Sequence, residues 1–336
     1  MRIGVTLQGV DDPNEFGELA RWIEGLGYDD LWLTDSSLHA GEVYVYATLA
    51  LAATTRLRVG TAVTNPLTRH PAITANAAAT LARLAPGRFV CGIGVGDSPL
   101  PEIGLRPAKI STLVEAVELM RRLWSGETLK GRVARWDFEA AKLTQPPGEL
   151  PVYWAASGPK TLAAAGEHAD GVILLAGLFP EGIDFAQGAI AAGRGLSARA
   201  RFATTAFLYG SIRGDEATAL DEARSIAAWF PQVSPHYARL AGMSEEQIEA
   251  VRAAYGGGEF QKAKQAAELI DDEVVRKVAF AGTPETATRK LEWLRGEGFD
   301  AVSVFPLGSD RMQTIESFAA IARAGRKDPL EAVQTD

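Results

Sequence analysis

The chain has 336 residues, 47% hydrophobic and 23% charged, so it can bury a large core and needs no metal or disulfide staple. Its net charge of −8 argues against bulk nucleic-acid binding, which needs a basic footprint, and no run approaches the ~18 apolar residues of a membrane span. The single cysteine, Cys91, cannot form an internal bridge, and MRIGVTLQGV lacks the basic flank and long apolar run of a signal peptide, so a cytoplasmic protein is expected.

A βα rhythm starts at once. Arg2–Gln8 reads as a strand and Asn14–Leu26 as a helix ending at Gly27. Asp29–Thr34, Leu57–Val63 and Arg88–Val95 follow as strands, separated by helices over Val43–Thr54 and Ala72–Leu84. The strands are continuous apolar runs, the pattern of a parallel sheet covered on both faces. Ile110–Trp124 carries Leu113, Val117, Met120 and Trp124 at helical spacing. Ser125–Glu149, with Gly126, Gly131, Pro146 and Pro147, breaks the rhythm as a loop or hairpin. Pro151–Ala156 is the fifth strand, followed by a helix over Lys160–His168. Gly171–Leu175 and Phe202–Ile212 are the sixth and seventh strands, with a helix over Glu216–Trp229 after them. A second excursion, Pro231–Val278, is expected to be helical on both sides of Gly256-Gly257-Gly258. Thr283-Pro284-Glu285 is a helix start: an N-cap hydroxyl, proline at the first position and an acid in the first turn. That helix runs to Arg295, Asp300–Pro306 is the eighth strand, and Arg311–Ala324 closes the chain.

Eight βα units predict one (β/α)₈ TIM barrel over residues 1–336, with insertions at about 125–149 and 231–278. An open doubly wound sheet is the alternative. The count of eight, and the lack of a G-x-G-x-x-G opening the first βα turn, favour the barrel.

A barrel places its chemistry at the strand C-termini, which selects residues before any function is named. Ala156-Ser157-Gly158-Pro159-Lys160 combines small residues with a helix start. Free N–H groups and the helix dipole suit a phosphate there, and Lys160 could add charge; a plain turn is the simpler explanation. Gly92–Asp97 allows close backbone approach, or merely tight packing inside the barrel. Asp97 is a carboxylate at the mouth, suited to proton transfer or to capping a helix. Asp35 ends the second strand and could serve only a local turn. His39 and His70 lie in mouth loops and His168 ends a helix, while His236 falls in the second excursion. The scattered histidines and the absence of H-E-x-x-H and C-x-x-C argue against a metal site, and no G-x-S-x-G marks a nucleophile elbow.

Leu57–Pro71 (LRVGTAVTNPLTRHP), Gly87–Asp97 (GRFVCGIGVGD) and Pro151–Val172 (PVYWAASGPKTLAAAGEHADGV) together resemble the luciferase-like flavin-dependent oxidoreductases. Within them the chain is most similar to the deazaflavin (F420)-dependent, methylenetetrahydromethanopterin reductase-like branch, from Arg2 to about Arg323. The resemblance implies a usually dimeric barrel enzyme that transfers a hydride between F420 and a C=N, C=C or C=O of a small molecule. It implies a bulge at Ala62-Val63, often with a non-proline cis peptide, behind the cofactor ring. Asn65 would meet the ring edge, Ala156, Ser157 and Gly158 would hold the phosphate, and Asp97 would assist proton transfer. Many F420 members carry Asp-His where this chain has Asp35-Ser36, so Asp35 and the more distant His39 enter as the remaining catalytic candidates of that corner. The two excursions would cover the mouth. The alternatives are an FMN-dependent monooxygenase, a barrel that binds a flavin without turnover, and a hydrolase using Asp35 and Asp97.

Overall fold

The computed structural model of the protein describes residues 1–97, 100–255 and 263–325. The chain opens with β1 (Arg2–Leu7), α1 (Phe16–Gly25), β2 (Asp30–Leu33), α2 (Val43–Ala53), β3 (Arg58–Thr61), α3 (Pro71–Leu84), β4 (Phe89–Ile93) and α4 (Ile110–Trp124). There follow β5 (Leu129–Val133), β6 (Trp136–Ala141), β7 (Val152–Ala156), α5 (Pro159–His168), β8 (Gly171–Leu174), α6 (Pro180–Arg194), β9 (Ala203–Ile212) and α7 (Glu216–Val233). The remainder is α8 (Pro235–Leu240), α9 (Glu245–Tyr255), α10 (Lys264–Ala267), α11 (Asp272–Val278), β10 (Phe280–Gly282), α12 (Pro284–Gly296), β11 (Ala301–Pro306) and α13 (Arg311–Ala324).

Eight strands pair in parallel in the cyclic order β1-β2-β3-β4-β7-β8-β9-β11. Gly171 of β8 lies beside Ala203 of β9, and Ala301 of β11 beside Arg2 of β1, so the ring has no open edge. This is a (β/α)₈ barrel, and closure rules out the doubly wound alternative. β1, β2 and β11 are buried almost throughout, as continuous apolar strands between a barrel interior and a helical shell require. The expected helix start at α12 is present: Thr283 Oγ1 accepts from the Thr286 N–H at 3.4 Å, with Pro284 in the first turn.

The excursion at 125–149, read as a loop or hairpin, is the antiparallel hairpin β5–β6. It packs outward: Trp136 and Phe138 set their rings edge-on to His70. The second excursion carries α8 to α11, and Gly256-Gly257-Gly258 lies outside the described residues. β10 was not foreseen. The first half of β9 pairs with β8, and its far end, Gly210 to Ile212, pairs with β10. α6 was not foreseen either. Gly193 of α6 and Gly166 of α5 are packing residues: a Cβ on Gly193 would meet the Ala163 carbonyl oxygen at 1.8 Å, and one on Gly166 would meet that of Ile190 at 2.4 Å. α5 and α6 therefore approach more closely than side chains would permit.

Candidate active site

The strand C-termini open into a cavity of about 580 Å³, within the range that holds a cofactor-sized ligand. One wall is built by β3 and β4. Gly60 lies opposite Val90, and Thr64 opposite Ile93, so four steps of β3 match three of β4. The extra residue is a bulge, which turns Ala62 and Val63 toward the cavity. The Ala62–Val63 peptide is cis. Across from it, a Cβ on Gly94 would touch Val63 Cγ2 at 3.0 Å, so glycine keeps this wall flat. Gly92 is a matter of packing, since its Cβ would fall 1.8 Å from the Thr61 carbonyl oxygen. Asn65 also lines the cavity. Its Oδ1 accepts from the Leu67 and Thr68 N–H groups, each at 2.9 Å, which leaves the Nδ2 amide as its remaining donor.

The β7–α5 turn forms the second wall with Ala156, Ser157, Gly158 and Thr161. Gly158 is the N-cap of α5 and provides no side-chain cap, so the first-turn N–H groups are available to a ligand. Lys160 is exposed and does not line the cavity; the helix turns Thr161 toward it instead. The third wall is aromatic. Phe207 and Tyr209 of β9, Phe305 of β11 and Trp229 of α7 line the cavity. Tyr209 is their centre, with ring centroids 5.1 Å from Phe207, 5.2 Å from Phe305 and 5.9 Å from Trp229. Gln232, Val233 and Ser234 extend this wall. The second excursion therefore reaches the cavity. The hairpin at 125–149 contributes nothing to its lining, contrary to the expectation that both would shape it.

The catalytic candidates are placed differently from one another. Asp97 is exposed at the cavity rim, and its backbone carbonyl accepts from the Leu100 N–H. Asp35 also touches the cavity, but both its oxygens are bound by Arg69, at 2.5 and 3.2 Å, and Ser37 donates to Oδ1 at 3.2 Å. Arg69 reaches Glu42 as well and stacks over Tyr44. Burial alone would lower the Arg69 guanidinium; its bonds to Asp35, with the charges of Asp35 and Glu42, reverse that and hold it above the ordinary range. His39 lies outside the cavity lining, with Nε2 3.1 Å from Glu102 Oε1. His70 caps α3, accepting the Ala72 N–H on Nδ1. His236, whose place the sequence left open, stands beside the β7–α5 turn, with Nε2 2.9 Å from the Ser157 carbonyl oxygen. Burial pulls its pKa below the usual histidine value, against the opposing effect of that bond. Among the described residues no group of three or more His, Cys, Asp or Glu side chains is arranged to hold a metal ion, and no helix is long and apolar enough to cross a membrane.

Comparison with known proteins places this geometry. The family described as luciferase-like monooxygenase matches residues 1–301. The chain belongs to this luciferase-like family. It is 33% identical over 303 residues to the 5,10-methylenetetrahydromethanopterin reductase of Archaeoglobus fulgidus, covering 87% of this chain and 90% of that one. It is 28% identical over 332 residues to the F420-dependent glucose-6-phosphate dehydrogenase of Kineococcus radiotolerans, covering 92% and 91%. The solved coenzyme F420-dependent tetrahydromethanopterin reductase from Methanopyrus kandleri superposes with a TM-score of 0.77 at 26% identity, over 95% of this chain and 97% of that one. As a luciferase-like protein the chain keeps its family's barrel.

The aromatic wall and the α7–α8 contributions were missed by sequence reasoning. For Phe207, Tyr209 and Phe305 a signal existed: alternate residues at the ends of two parallel strands face the barrel axis. The helix read as Glu216–Trp229 runs on to Val233 and so carries Gln232, while Ser234 and His236 fall in the excursion whose place the sequence left open.

Proposed function

We propose that the protein is an F420-dependent oxidoreductase that transfers a hydride between the deazaflavin and a small organic substrate. The observation that carries this is likeness over nearly the whole chain to enzymes that use F420, together with a cavity whose residues fit that cofactor. The fit has two parts. Flat, small residues, Ala62, Val63 and Gly94, face one another where a planar ring would sit. The uncapped start of α5, with Ser157 and Thr161, suits a phosphate.

When bound, the deazaflavin supplies a ring carbon that gives or takes a hydride. The work of the chain is binding, orientation and proton control. Ala62 and Val63 would hold the ring against their wall of the cavity, and Asn65 would offer it the Nδ2 amide. The aromatic wall positions the substrate and excludes water. Asp97, on the rim, holds or releases the proton that accompanies hydride transfer. The Lys160 side chain and His39 lie outside the cavity lining, so this reading gives them no part in holding the cofactor or moving the proton. Asp35 serves to hold the β2–α2 corner through Arg69.

The proposal extends to a cytoplasmic homodimer. A single buried thiol suits a reducing compartment. The adjacent helices α2 and α3 expose Val45, Ile73 and Leu84, apolar surface that a second copy would cover. Light scattering would read the mass directly, and a monomer at micromolar concentration would refute the dimer.

The deciding experiment mixes purified protein with F420 and, separately, with FMN, and follows fluorescence quenching. Micromolar binding to FMN with none to F420 would overturn the proposal in favour of a flavin monooxygenase. Binding of F420 with no oxidation of its reduced form by a broad panel of electrophiles would point to a binding protein without turnover.

A further inference from the structure

Beside the active-site cavity lies a second one, of about 510 Å³, between the end of β1, the end of β11 and the first half of α7. Gln8 and Phe305 line both cavities, so the two share a wall. They also share a roof. Glu222 and Ser225 line the second cavity, and Trp229 and Gln232 line the first. Spacings of three and four residues set these four side chains within about 80° of one another around α7, on one face of the helix. At a rise of about 1.5 Å per residue, that face runs roughly 15 Å from Glu222 to Gln232. The cavities are therefore the two ends of one trough, with the aromatic wall at one of them.

The other end is acidic, and its central carboxylate is held in place from the strand side. Ser211 Oγ donates to Glu222 Oε2 at 2.5 Å, and Arg213 Nη2 stands 2.9 Å from the same oxygen. Glu222 Oε1 receives no hydrogen bond among the described residues. Gly308, at φ +86°, makes room for this carboxylate at the end of β11: a Cβ there would fall 2.2 Å from Glu222 Cδ. The Glu222 side chain keeps 16% of its surface accessible, so a molecule in the cavity can meet it. Asp221 adds a second, exposed carboxylate; its neighbour Arg224, 4.0 Å away, already donates to Asp272 and to the Ile270 carbonyl. Among the described lining residues the cation is Arg311, and it is paired with Asp11.

We infer that the second cavity is the distal subsite of the substrate pocket and takes a protonated amine. The flat, apolar part of the substrate lies against Tyr209, Phe305 and Trp229, and its ammonium group reaches past Phe305 to Glu222. A carboxylate with an open acceptor in a partly enclosed cavity favours a charged N–H donor, whereas an anionic tail would meet two carboxylates. Seven residues of α7 separate Glu222 from Trp229, which sets the amine on the order of 10 Å from the aromatic wall. The inference rests on the proposed function only in calling the occupant a substrate.

Three ligands of one shape and different charge test it: phenylbutylamine, phenylbutanol and phenylbutyrate, each with its polar group at the chain end. Calorimetry gives their dissociation constants for the protein alone and for the protein saturated with F420. The amine should bind about 10-fold more tightly than the alcohol, the size expected for one hydrogen bond between charged groups, and the acid most weakly. Glu222→Gln should bring the amine to the level of the alcohol. Because Glu222 also pairs with Arg213, two further variants leave that pair intact. Ser225→Leu fills the second cavity from α7 and should erase the preference for the amine, with F420 binding unchanged. Asp221→Lys, at an exposed position, should place the acid ahead of the amine. Equal constants for amine and alcohol in the wild type, or an amine preference that survives both Ser225→Leu and Asp221→Lys, would overturn the subsite. Retention of the amine preference in a protein that does not bind F420 would sink the cofactor reading and leave the subsite standing. Tight F420 binding with no preference among the three ligands would remove the subsite alone.

Discussion

Gly158 is a position where the needs of the fold and of a ligand separate. Its backbone, φ −76° and ψ 151°, is a conformation that any L-residue adopts, and a Cβ built there meets no atom within 4 Å. Gly158 lines the cavity, so a side chain added there stands at its wall. Gly158→Asp should therefore leave the barrel intact and act on the ligand alone. Aspartate is at least as good an N-cap as glycine, by a few tenths of a kcal/mol, and loss of glycine's freedom in the unfolded chain adds about 0.4–1 kcal/mol. The melting temperature should hold or rise by roughly 1–3 °C. The new carboxylate takes the first-turn N–H groups and stands about 5 Å from a phosphate charge. At effective dielectric constants of about 20–40 the repulsion is roughly 1.5–3 kcal/mol, or ~10- to ~200-fold in Kd. Calorimetry and an F420 titration read the two effects separately. An unchanged Kd in a protein of unchanged stability would show that no phosphate sits at α5. A melting temperature lowered by more than about 5 °C would refute the reading of open space.

Asp97→Asn should lower turnover about 10²- to 10⁴-fold and leave F420 binding within about twofold; unchanged turnover would remove Asp97 from proton transfer. Asp35→Ala leaves Arg69 without its bidentate partner and should destabilise the protein by about 3 kcal/mol in urea unfolding, whereas an unshifted midpoint would deny Asp35 its anchoring role. Burial pushes the Cys91 thiol up to about 12, so at pH 8 the native protein should not react with a thiol reagent and should release one equivalent in denaturant. Reaction of the native protein at the denatured rate would contradict the burial of Cys91.

The barrel was legible because most of its strands are short continuous apolar runs and several helices carry a start signal, a stop signal or an apolar stripe. Thr283-Pro284 and the stripe Leu113-Val117-Met120-Trp124 are local facts that survive folding unchanged. α6 and β10 were not legible because their reasons are tertiary. Gly193 of α6 and Gly166 of α5 let the two helices pack backbone to backbone, a reason that lies in the neighbouring element and not along the chain. β10 is three residues long and exists because the far end of β9 needs a partner beyond β8. No local signal encodes that need.

At the site, sequence reasoning found what strand ends dictate: Ala62, Val63, Asn65, Asp97 and Ser157-Gly158 all line one cavity. Helix phase is what it could not read: Lys160, taken for a ligand, stands outside that lining, and Thr161 lines the cavity. The corner at Asp35-Ser36 is the place where the chain departs from the Asp-His that the resemblance to F420-dependent members implies, and the geometry limits what can stand in for the imidazole. Ser36 lines the cavity in its place, His39 lies outside the lining, bonded to Glu102, and both Asp35 oxygens are held by Arg69. Among the described lining residues the ionisable side chains are Asp35, Asp97 and Tyr209. Under the proposed function, proton transfer then falls to Asp97 on the rim or to the Tyr209 phenol at the centre of the aromatic wall. Tyr209→Phe keeps the wall and removes only the hydroxyl, so the pair Asp97→Asn and Tyr209→Phe distinguishes a proton exchanged with solvent at the rim from one delivered within the substrate pocket.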